Sequence, residues 1–313
     1  MIRLSIIVPC YNVEQYVEEC IRSLYNQDIP QDEYEVICVD DCSPDHSVSI
    51  IKQLQKEYST LRLIHHERNR KLGGARNTGL KMASGKYVWF VDSDDYISPN
   101  CLLSLLNKAE ENDIEVLLFD YQIVDRENIQ ILDHPKIDSA IITGEQLLYQ
   151  VQSFWYKCIP TAWNKLYLRD FLTGNKLFFA DDVMYEDTDW TFRLLEKANK
   201  VLYVEKIAYN YRVNVESITK IQPSPEKMVY TILQQNRCAI VAENTHLQIF
   251  KDVIYAYIQA QLTVLRTWIK AMSIKQQWLY GRSITKYDIH RLKSSSTWRT
   301  WLAIRYGITC FVK

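Results

Sequence analysis

The chain has 313 residues, of which 47% are hydrophobic and 24% are charged, and its formal net charge is −1. This composition is typical of a folded globular protein and excludes a mainly disordered or collagen-like chain. The near-zero net charge argues against nucleic acid as a partner bound through bulk electrostatic attraction, and no apolar run reaches the roughly 18 residues that a membrane span needs.

The first 120 residues alternate predicted strands and helices. Mainly apolar runs at 4–8, 35–39 and 87–91 are typical of strands that are buried on both faces of a parallel sheet. Apolar residues at helical spacing predict the intervening helices, including one that begins at Ser43 and one over 75–83. We therefore predict an α/β fold with a mostly parallel, Rossmann-like sheet and helices on both faces.

The rest of the chain divides near residue 221. Residues 122–220 are less regular, with one helix predicted near 188–198. The Pro-rich segment 222–225 is the clearest break in the pattern, and helical periodicity follows it. The sequence therefore predicts an α/β domain at 1–220 and a C-terminal α-helical extension at 221–313.

Polar residues follow three of the predicted strands. The first strand ends near Tyr11, the second at Asp41, and the fourth at Asp92-Ser93-Asp94. Because the carboxyl ends of parallel strands meet at one edge of a sheet, ligands bind there. Crowded carboxylates repel one another unless a divalent cation or ligand donors compensate them. Carboxylate oxygens suit Mg²⁺ or Mn²⁺, and a pyrophosphate can supply the remaining ligands.

Four of the eight glycines fall between residues 73 and 85 and flank Ala75-Arg76-Asn77. Glycine lets the backbone approach a ligand closely, and arginine pairs with phosphate. The cluster therefore predicts either a phosphate-contacting segment that contains Arg76 or a tight turn with close helix–strand packing.

Four motifs stand in order along the first part of the chain. They are Pro9-x-Tyr11-Asn12, Val39-Asp40-Asp41-x-Ser43, Ala75-Arg76-Asn77-x-Gly79, and Gly85 through Asp92-Ser93-Asp94-Asp95. With these motifs the sequence resembles the family 2 inverting glycosyltransferases, which have the GT-A fold, over residues 3–125. The resemblance resumes at Glu186-Asp187 and at Tyr209-x-Tyr211-Arg212 with Ser217-Ile218. It implies transfer of a sugar from a nucleotide-sugar donor, usually a UDP-sugar, to a hydroxyl of a glycan or lipid-linked acceptor in bacterial surface-polysaccharide synthesis.

The resemblance also implies roles for individual residues. Asp187 is implied as the general base that deprotonates the acceptor hydroxyl. Asp94 is implied as a ligand of Mn²⁺ or Mg²⁺, with Asp92 at the ribose or the metal. Tyr11 would lie against the base, Asp41 at the uracil edge, and Arg76 at the base or the diphosphate. The full implied substrate-binding set is Pro9, Tyr11, Glu14, Asp41, Lys71, Arg76, Asp92 and Ser93.

The chain departs from the family's pattern at two positions and leaves two other functions open. Cys42 and Lys71 stand where family members usually carry glycine, and a lysine there offers an added phosphate contact. A sugar nucleotidyltransferase has a similar sheet but usually carries a Gly-rich, basic loop after its first strand, which 10–14 lacks. A non-catalytic protein that binds a nucleotide-sugar or a glycan is the other alternative, and intact Asp94 and Asp187 argue against it.

The last part of the chain is strongly basic. From Arg266 onward ten Lys or Arg accompany a single acid, Asp288, so this tail has a net charge of +9. It also holds half of the tryptophans: Trp268, Trp278, Trp298 and Trp301. Basic residues mixed with Trp suit an anionic membrane surface, and a solvated helical face is the alternative interpretation. Because no signal-peptide pattern stands at the N-terminus, we predict a cytoplasmic protein. If the tail binds lipid, the protein would be peripheral on the inner face of the plasma membrane.

Overall fold

The computed structural model describes residues 1–126, 128–131, 136–153, 160–213 and 225–271. Contacts between Cα atoms divide the chain into two compact units, Met1–Val215 and Glu216–Lys313. The predicted boundary at residue 221 lies outside the described residues.

Within the described residues, a mixed sheet of nine strands forms the centre of the first unit. The strands are β1 (Leu4–Cys10), β2 (Tyr34–Asp40), β3 (Leu61–His65), β4 (Tyr87–Phe90), β5 (Tyr96–Ile97), β6 (Val116–Asp125), β7 (Asn128–Ile131), β8 (Lys165–Leu168) and β9 (Val201–Arg212). Their order across the sheet is β3-β2-β1-β4-β8-β6-β9-β5, and β7 pairs with β6.

The first four strands make the parallel part of the sheet that the sequence predicts. β1 pairs with β2 and β4, and β2 with β3, all in parallel. Every residue of β1, β2 and β4 is buried, because helices cover both faces of these apolar runs. Beyond β4 the pairings are antiparallel except for β6 with β9. The predicted α/β class is confirmed.

Helices connect the strands of the first unit. They are α1 (Val17–Tyr25), α2 (Ser47–Leu54), α3 (Lys71–Met82), α4 (Leu102–Glu110), α5 (Gly144–Val151), α6 (Arg169–Gly174) and α7 (Glu186–Lys197). The sequence placed the start of α2 too early, at Ser43. The Ser43 hydroxyl instead accepts a hydrogen bond from the Asn12 backbone, and the Asp45 carboxylate accepts one from the Ser47 backbone at the true start.

The second unit contains helices α8 (Pro225–Asn244) and α9 (Gln248–Ala271). Several of the apolar residues that predicted helices here are buried, among them Ile232, Ala239 and Phe250, whereas Val264 is exposed. The predicted helical extension is therefore confirmed, while most of the basic tail, from residue 272 onward, lies outside the described residues. No helix in the part of the chain that the structure describes is long and apolar enough to cross a membrane.

Candidate active site

The carboxyl ends of β1, β2 and β4 lie side by side at one edge of the parallel part of the sheet. Cys10 of β1 is in register with Asp40 of β2, and the backbone of Asp41 donates to the Cys10 carbonyl at 2.9 Å. The backbone of Val91 donates to the Ile7 carbonyl at 2.9 Å, so the chain after β4 leaves the sheet beside β1. The three predicted polar segments therefore converge on one cleft.

Asp41 is buried and fixed by two neighbours. His66 Nδ1 lies 2.7 Å from Asp41 Oδ1, and the Arg70 backbone donates to the same oxygen at 2.8 Å. The other His66 nitrogen, Nε2, lies 2.8 Å from the Thr78 hydroxyl. Within the described residues no hydrogen bond reaches Asp41 Oδ2, which leaves this oxygen to accept one from a ligand. Sequence analysis missed His66, whose only signal is its position directly after β3.

The first strand and the loop after it carry three of the implied substrate-binding residues. Pro9 lies inside β1 opposite Val39, and Tyr11 is 52% exposed, so its ring is available for stacking. The exposed Glu14 carboxylate accepts a hydrogen bond from the His46 backbone at 2.8 Å. Glu14 therefore links the loop after β1 to the loop before α2.

The side chain of Arg76 links Asp92, which follows β4, to Glu186 at the start of α7. This side chain is 1% exposed and donates to Asp92 Oδ1 and to Glu186 Oε1, both at 2.6 Å. The guanidinium also lies over the Phe179 ring, 5.4 Å from its centroid. Because the guanidinium is almost fully buried and both terminal nitrogens already donate to carboxylates, a contact between Arg76 and a diphosphate would require Arg76 or its partners to move.

Asp187 lies in the first turn of α7, next to this network. Burial, and then the negative charge of Glu186, raises the pKa of Asp187 to about 7, although the positive charge of Arg76 opposes the rise. A carboxyl group that titrates near neutral pH can take up and release a proton under physiological conditions.

The segment before α7 is clasped to α3. Asn77 donates to the Phe179 carbonyl and accepts from the Phe179 backbone, both at 2.9 Å. A Cβ atom on Gly73 would lie 2.4 Å from the Ala180 carbonyl oxygen, so this close approach requires glycine. A Cβ on Gly79 would lie 2.3 Å from the Ile7 side chain. Of the two interpretations of the glycine cluster, these contacts support close packing.

Asp94 and Asp92 are the carboxylates that could hold a metal ion. Burial, and then the charge of Asp92, raises the pKa of Asp94 to about 6. Within the described residues no other residue donates a hydrogen bond to the Asp94 carboxylate. No group of three His, Cys, Asp or Glu side chains in the described ranges forms a complete metal site. Two carboxylates fit Mg²⁺ or Mn²⁺ if substrate phosphates supply further ligands.

Ser93 lies between these acids in the chain, and its side chain is buried. It is 5% exposed and hydrogen-bonds to the buried Cys10 thiol. Any contact of Ser93 with a substrate in this conformation would therefore come from its backbone.

The two departures from the family's glycine pattern have a backbone explanation. Cys42 has a φ of 64° and Lys71 a φ of 61°, both in the left-handed region that favours glycine. Within the described part of the chain the Lys71 ammonium has no ion-pair partner, so it can bind an anion.

Comparison with known proteins agrees with this geometry. Residues 5–173 match the sequence profile of glycosyl transferase family 2, and the chain therefore belongs to this family. It is 34% identical to the uncharacterized glycosyltransferase EpsJ of Bacillus subtilis over 233 residues. The matching region covers 71% of this chain and 64% of that protein. It is 31% identical over 231 residues to the poly(ribitol-phosphate) beta-N-acetylglucosaminyltransferase TarS of Staphylococcus aureus, covering 72% of this chain and 38% of TarS.

A solved structure shows the same fold. The crystal structure of Staphylococcus aureus TarS 1–349 in complex with UDP-GlcNAc superposes with a TM-score of 0.68 at 22% identity, covering 98% of this chain and 92% of that chain. The predicted GT-A fold and the family resemblance are thus confirmed. This chain spans less than two thirds of the length of either relative.

Proposed function

We propose that the protein transfers a sugar, with inversion, from a UDP-sugar to a hydroxyl of a glycan or lipid-linked acceptor in cell-surface polysaccharide synthesis. Family membership and the GT-A fold support glycosyl transfer and go against the nucleotidyltransferase alternative. One relative is a poly(ribitol-phosphate) beta-N-acetylglucosaminyltransferase with a solved UDP-GlcNAc complex, which supports both the donor nucleotide and a surface polymer as acceptor.

The position of Asp187 carries the proposal. Its carboxyl group stands in the first turn of α7 with a pKa raised to about 7. Arg76 links the neighbouring Glu186 to Asp92, at the edge of the sheet where the donor would bind. A base that titrates near neutral pH and is tied to the nucleotide end of the cleft suits removal of a proton from an acceptor hydroxyl.

The reaction follows from these positions. Asp187 takes the proton of the acceptor hydroxyl while that oxygen forms a bond to the anomeric carbon, and the bond to the nucleoside diphosphate breaks on the opposite side. This single in-line displacement inverts the anomeric configuration. Asp41 and Tyr11 would hold the base, and Lys71 would contact a phosphate. Asp94, with Asp92, would hold Mn²⁺ or Mg²⁺, which when bound offsets the charge of the leaving diphosphate.

Replacing the proposed base tests this function. We expect Asp187→Asn to slow UDP release from UDP-GlcNAc or UDP-glucose in Mn²⁺ by about 100-fold or more, since the base is lost. UDP binding, measured by calorimetry, should match the wild type. Asp170→Asn is the matched control, because Asp170 is an exposed acid in the first turn of α6, and it should keep full turnover. Equal turnover in Asp187→Asn would contradict the assignment.

The same assay separates the non-catalytic alternative. A wild-type protein that binds UDP yet releases none from any UDP-sugar, with or without glycan acceptors, would support a binding partner without catalytic activity.

Peripheral membrane binding through the basic tail is part of the proposal and is supported by sequence alone. The net charge of +9 from residue 266 onward predicts co-sedimentation with anionic vesicles at low salt, where screening is weakest. Absence of binding under that condition would contradict it.

A further inference from the structure

The turn that carries Asp92, Ser93 and Asp94 is held by the end of β9, more than 110 residues later in the chain. The Tyr209 hydroxyl accepts a hydrogen bond from the Asp92 backbone at 3.2 Å and donates to Asp95 Oδ2 at 2.7 Å. The Arg212 backbone donates to the other Asp95 oxygen at 2.7 Å. Hydrogen bonds from β9 therefore hold both ends of the turn.

The Arg212 side chain adds a contact to the middle of the turn. Its Nε donates to the Asp94 carbonyl at 3.0 Å, and its Nη2 donates to Glu19 at 2.7 Å. The guanidinium lies over the rings of Tyr16 and Tyr96, 5.4 and 5.2 Å from their centroids. The ion pair and the two aromatic rings limit where this donor can move.

Packing and strand pairing also hold Tyr209 and Asp95 in place. Tyr209 is fully buried and stacks on Trp163 with ring centroids 4.4 Å apart, and Asp95 is 2% exposed. β5 pairs with β9 directly after the turn, with Tyr96 opposite Asn210. Buried and mutually satisfied hydrogen bonds of this kind fix one geometry.

The Asp94 carboxylate itself has no such support. Within the described residues no other residue donates a hydrogen bond to it, so its direction follows from the backbone of the turn. Groups that orient a metal ligand without touching the metal commonly control how well the ion binds.

We propose that Arg212 and Tyr209 are positioning residues that hold the turn at 92–95 so that the Asp94 carboxylate faces the divalent cation bound together with the donor diphosphate. The inference rests on the proposed function and extends it to two residues of β9 outside the cleft-lining set that the resemblance implies. Neither residue is assigned a contact with the substrate.

Calorimetric titration with UDP, in Mn²⁺ and in EDTA, tests the proposal with Arg212→Ala and Tyr209→Phe. We expect both variants to weaken UDP binding in Mn²⁺ by about 10- to 100-fold and to leave binding in EDTA unchanged. Arg22→Ala is the matched control, because Arg22, on the surface of α1, is also an arginine in ion pairs, with Glu18 and Glu57, and lies outside the turn. It should behave as the wild type under both conditions.

Three results would overturn the proposal, and they are distinguishable. Equal weakening in Mn²⁺ and in EDTA would indicate a general structural role. Variants that gain as much from Mn²⁺ as the wild type would contradict positioning while leaving the proposed function intact. A wild type that gains nothing from Mn²⁺ would contradict the metal dependence as well. If Arg212→Ala fails to fold by circular dichroism, Tyr209→Phe, which keeps the stacked ring, decides the test.

Discussion

The two ends of the cleft are held in place by different interactions. At the α7 end the buried guanidinium of Arg76 joins the carboxylates of Glu186 and Asp92 through charge. At the β4 end Tyr209 and Arg212 hold the backbone through hydrogen bonds. At the α7 end, burial and then the charge of Glu186 raise the pKa of the neighbouring Asp187 to about 7, although Arg76 opposes the rise. At the β4 end, hydrogen bonds to the backbone fix the geometry of the turn.

This difference predicts unequal consequences when each end is perturbed. Removing one partner from a buried ion pair leaves the other charges uncompensated, which costs more than the loss of a hydrogen bond to a neutral backbone group. Stability and pH dependence should therefore respond most to changes at the α7 end, and metal-dependent binding to changes at the β4 end.

The largest effect on stability is expected from Arg76→Met. This change leaves Asp92 and the buried Glu186 without their shared cation, and should lower the free energy of unfolding by about 3–5 kcal/mol in urea denaturation. Arg22→Met removes an arginine with two exposed partners and should leave the free energy of unfolding close to that of the wild type. Similar losses in the two variants would show that the buried pairs contribute no more than surface ones.

A smaller loss is expected from Gly73→Ala. The new Cβ would meet the Ala180 carbonyl at 2.4 Å, so the segment before α7 must shift and carry Asp187 with it. We expect a loss of about 1–3 kcal/mol in urea denaturation, together with slower UDP release.

Gly174→Ala is the control, because no atom lies within 4 Å of the position that its Cβ would occupy. Alanine there should be neutral or slightly stabilising. A Gly73→Ala variant with wild-type stability and turnover would show that the close contact between α3 and the segment before α7 is unimportant.

The sequence alone is sufficient to predict the end of the cleft built on β1, β2 and β4. Their sequences are mainly apolar because both faces are buried, and parallel pairing brings their carboxyl ends together. Asp41 and Asp92 therefore fall at one edge, as expected. The start of α3 was placed too late, because Gly73 and Gly74 lower helix propensity although the helix includes them.

The support from β9 could not be read from the sequence in the same way. The motif Tyr209-x-Tyr211-Arg212 was visible, but its contacts depend on the pairing of β5 with β9 across more than 110 residues. Periodicity reports burial and secondary structure, and it does not report register between distant strands. The ion pair between Arg76 and Glu186 was missed because periodicity also does not report contacts between distant helices, and Glu186 is 110 residues away.

We expect the stability advantage of Asp187→Asn over the wild type to be about 1 kcal/mol larger at pH 8 than at pH 5. Burial raises the folded-state pKa of Asp187 to about 7, so the folded protein binds this proton more tightly than the unfolded chain does. Ionisation therefore costs stability as pH rises through about 7, and asparagine avoids the cost. Thermal unfolding should show a larger advantage for the variant at pH 8 than at pH 5. An advantage that does not change with pH would contradict the raised pKa.

The smallest effects are expected at the two left-handed positions. Cys42→Gly and Lys71→Gly should each raise the free energy of unfolding by about 0.5–1 kcal/mol, because glycine adopts a positive φ without strain. Calorimetry should then separate the two: Lys71→Gly weakens UDP binding through loss of an ammonium, and Cys42→Gly leaves it unchanged. Equal UDP binding by both variants would remove Lys71 from the phosphate site.

The pH dependence of UDP release tests most directly whether Asp187 is the base. It should be measured with one UDP-sugar at saturating Mn²⁺, so that protonation of Asp94, with a pKa of about 6, does not limit the rate. We expect the rate to rise about tenfold per pH unit below the pKa of about 7 that burial gives Asp187, and to level off above it. Asp187→Asn should abolish that rise. A wild-type rate that is independent of pH, or the same rise in the variant, would contradict the assignment.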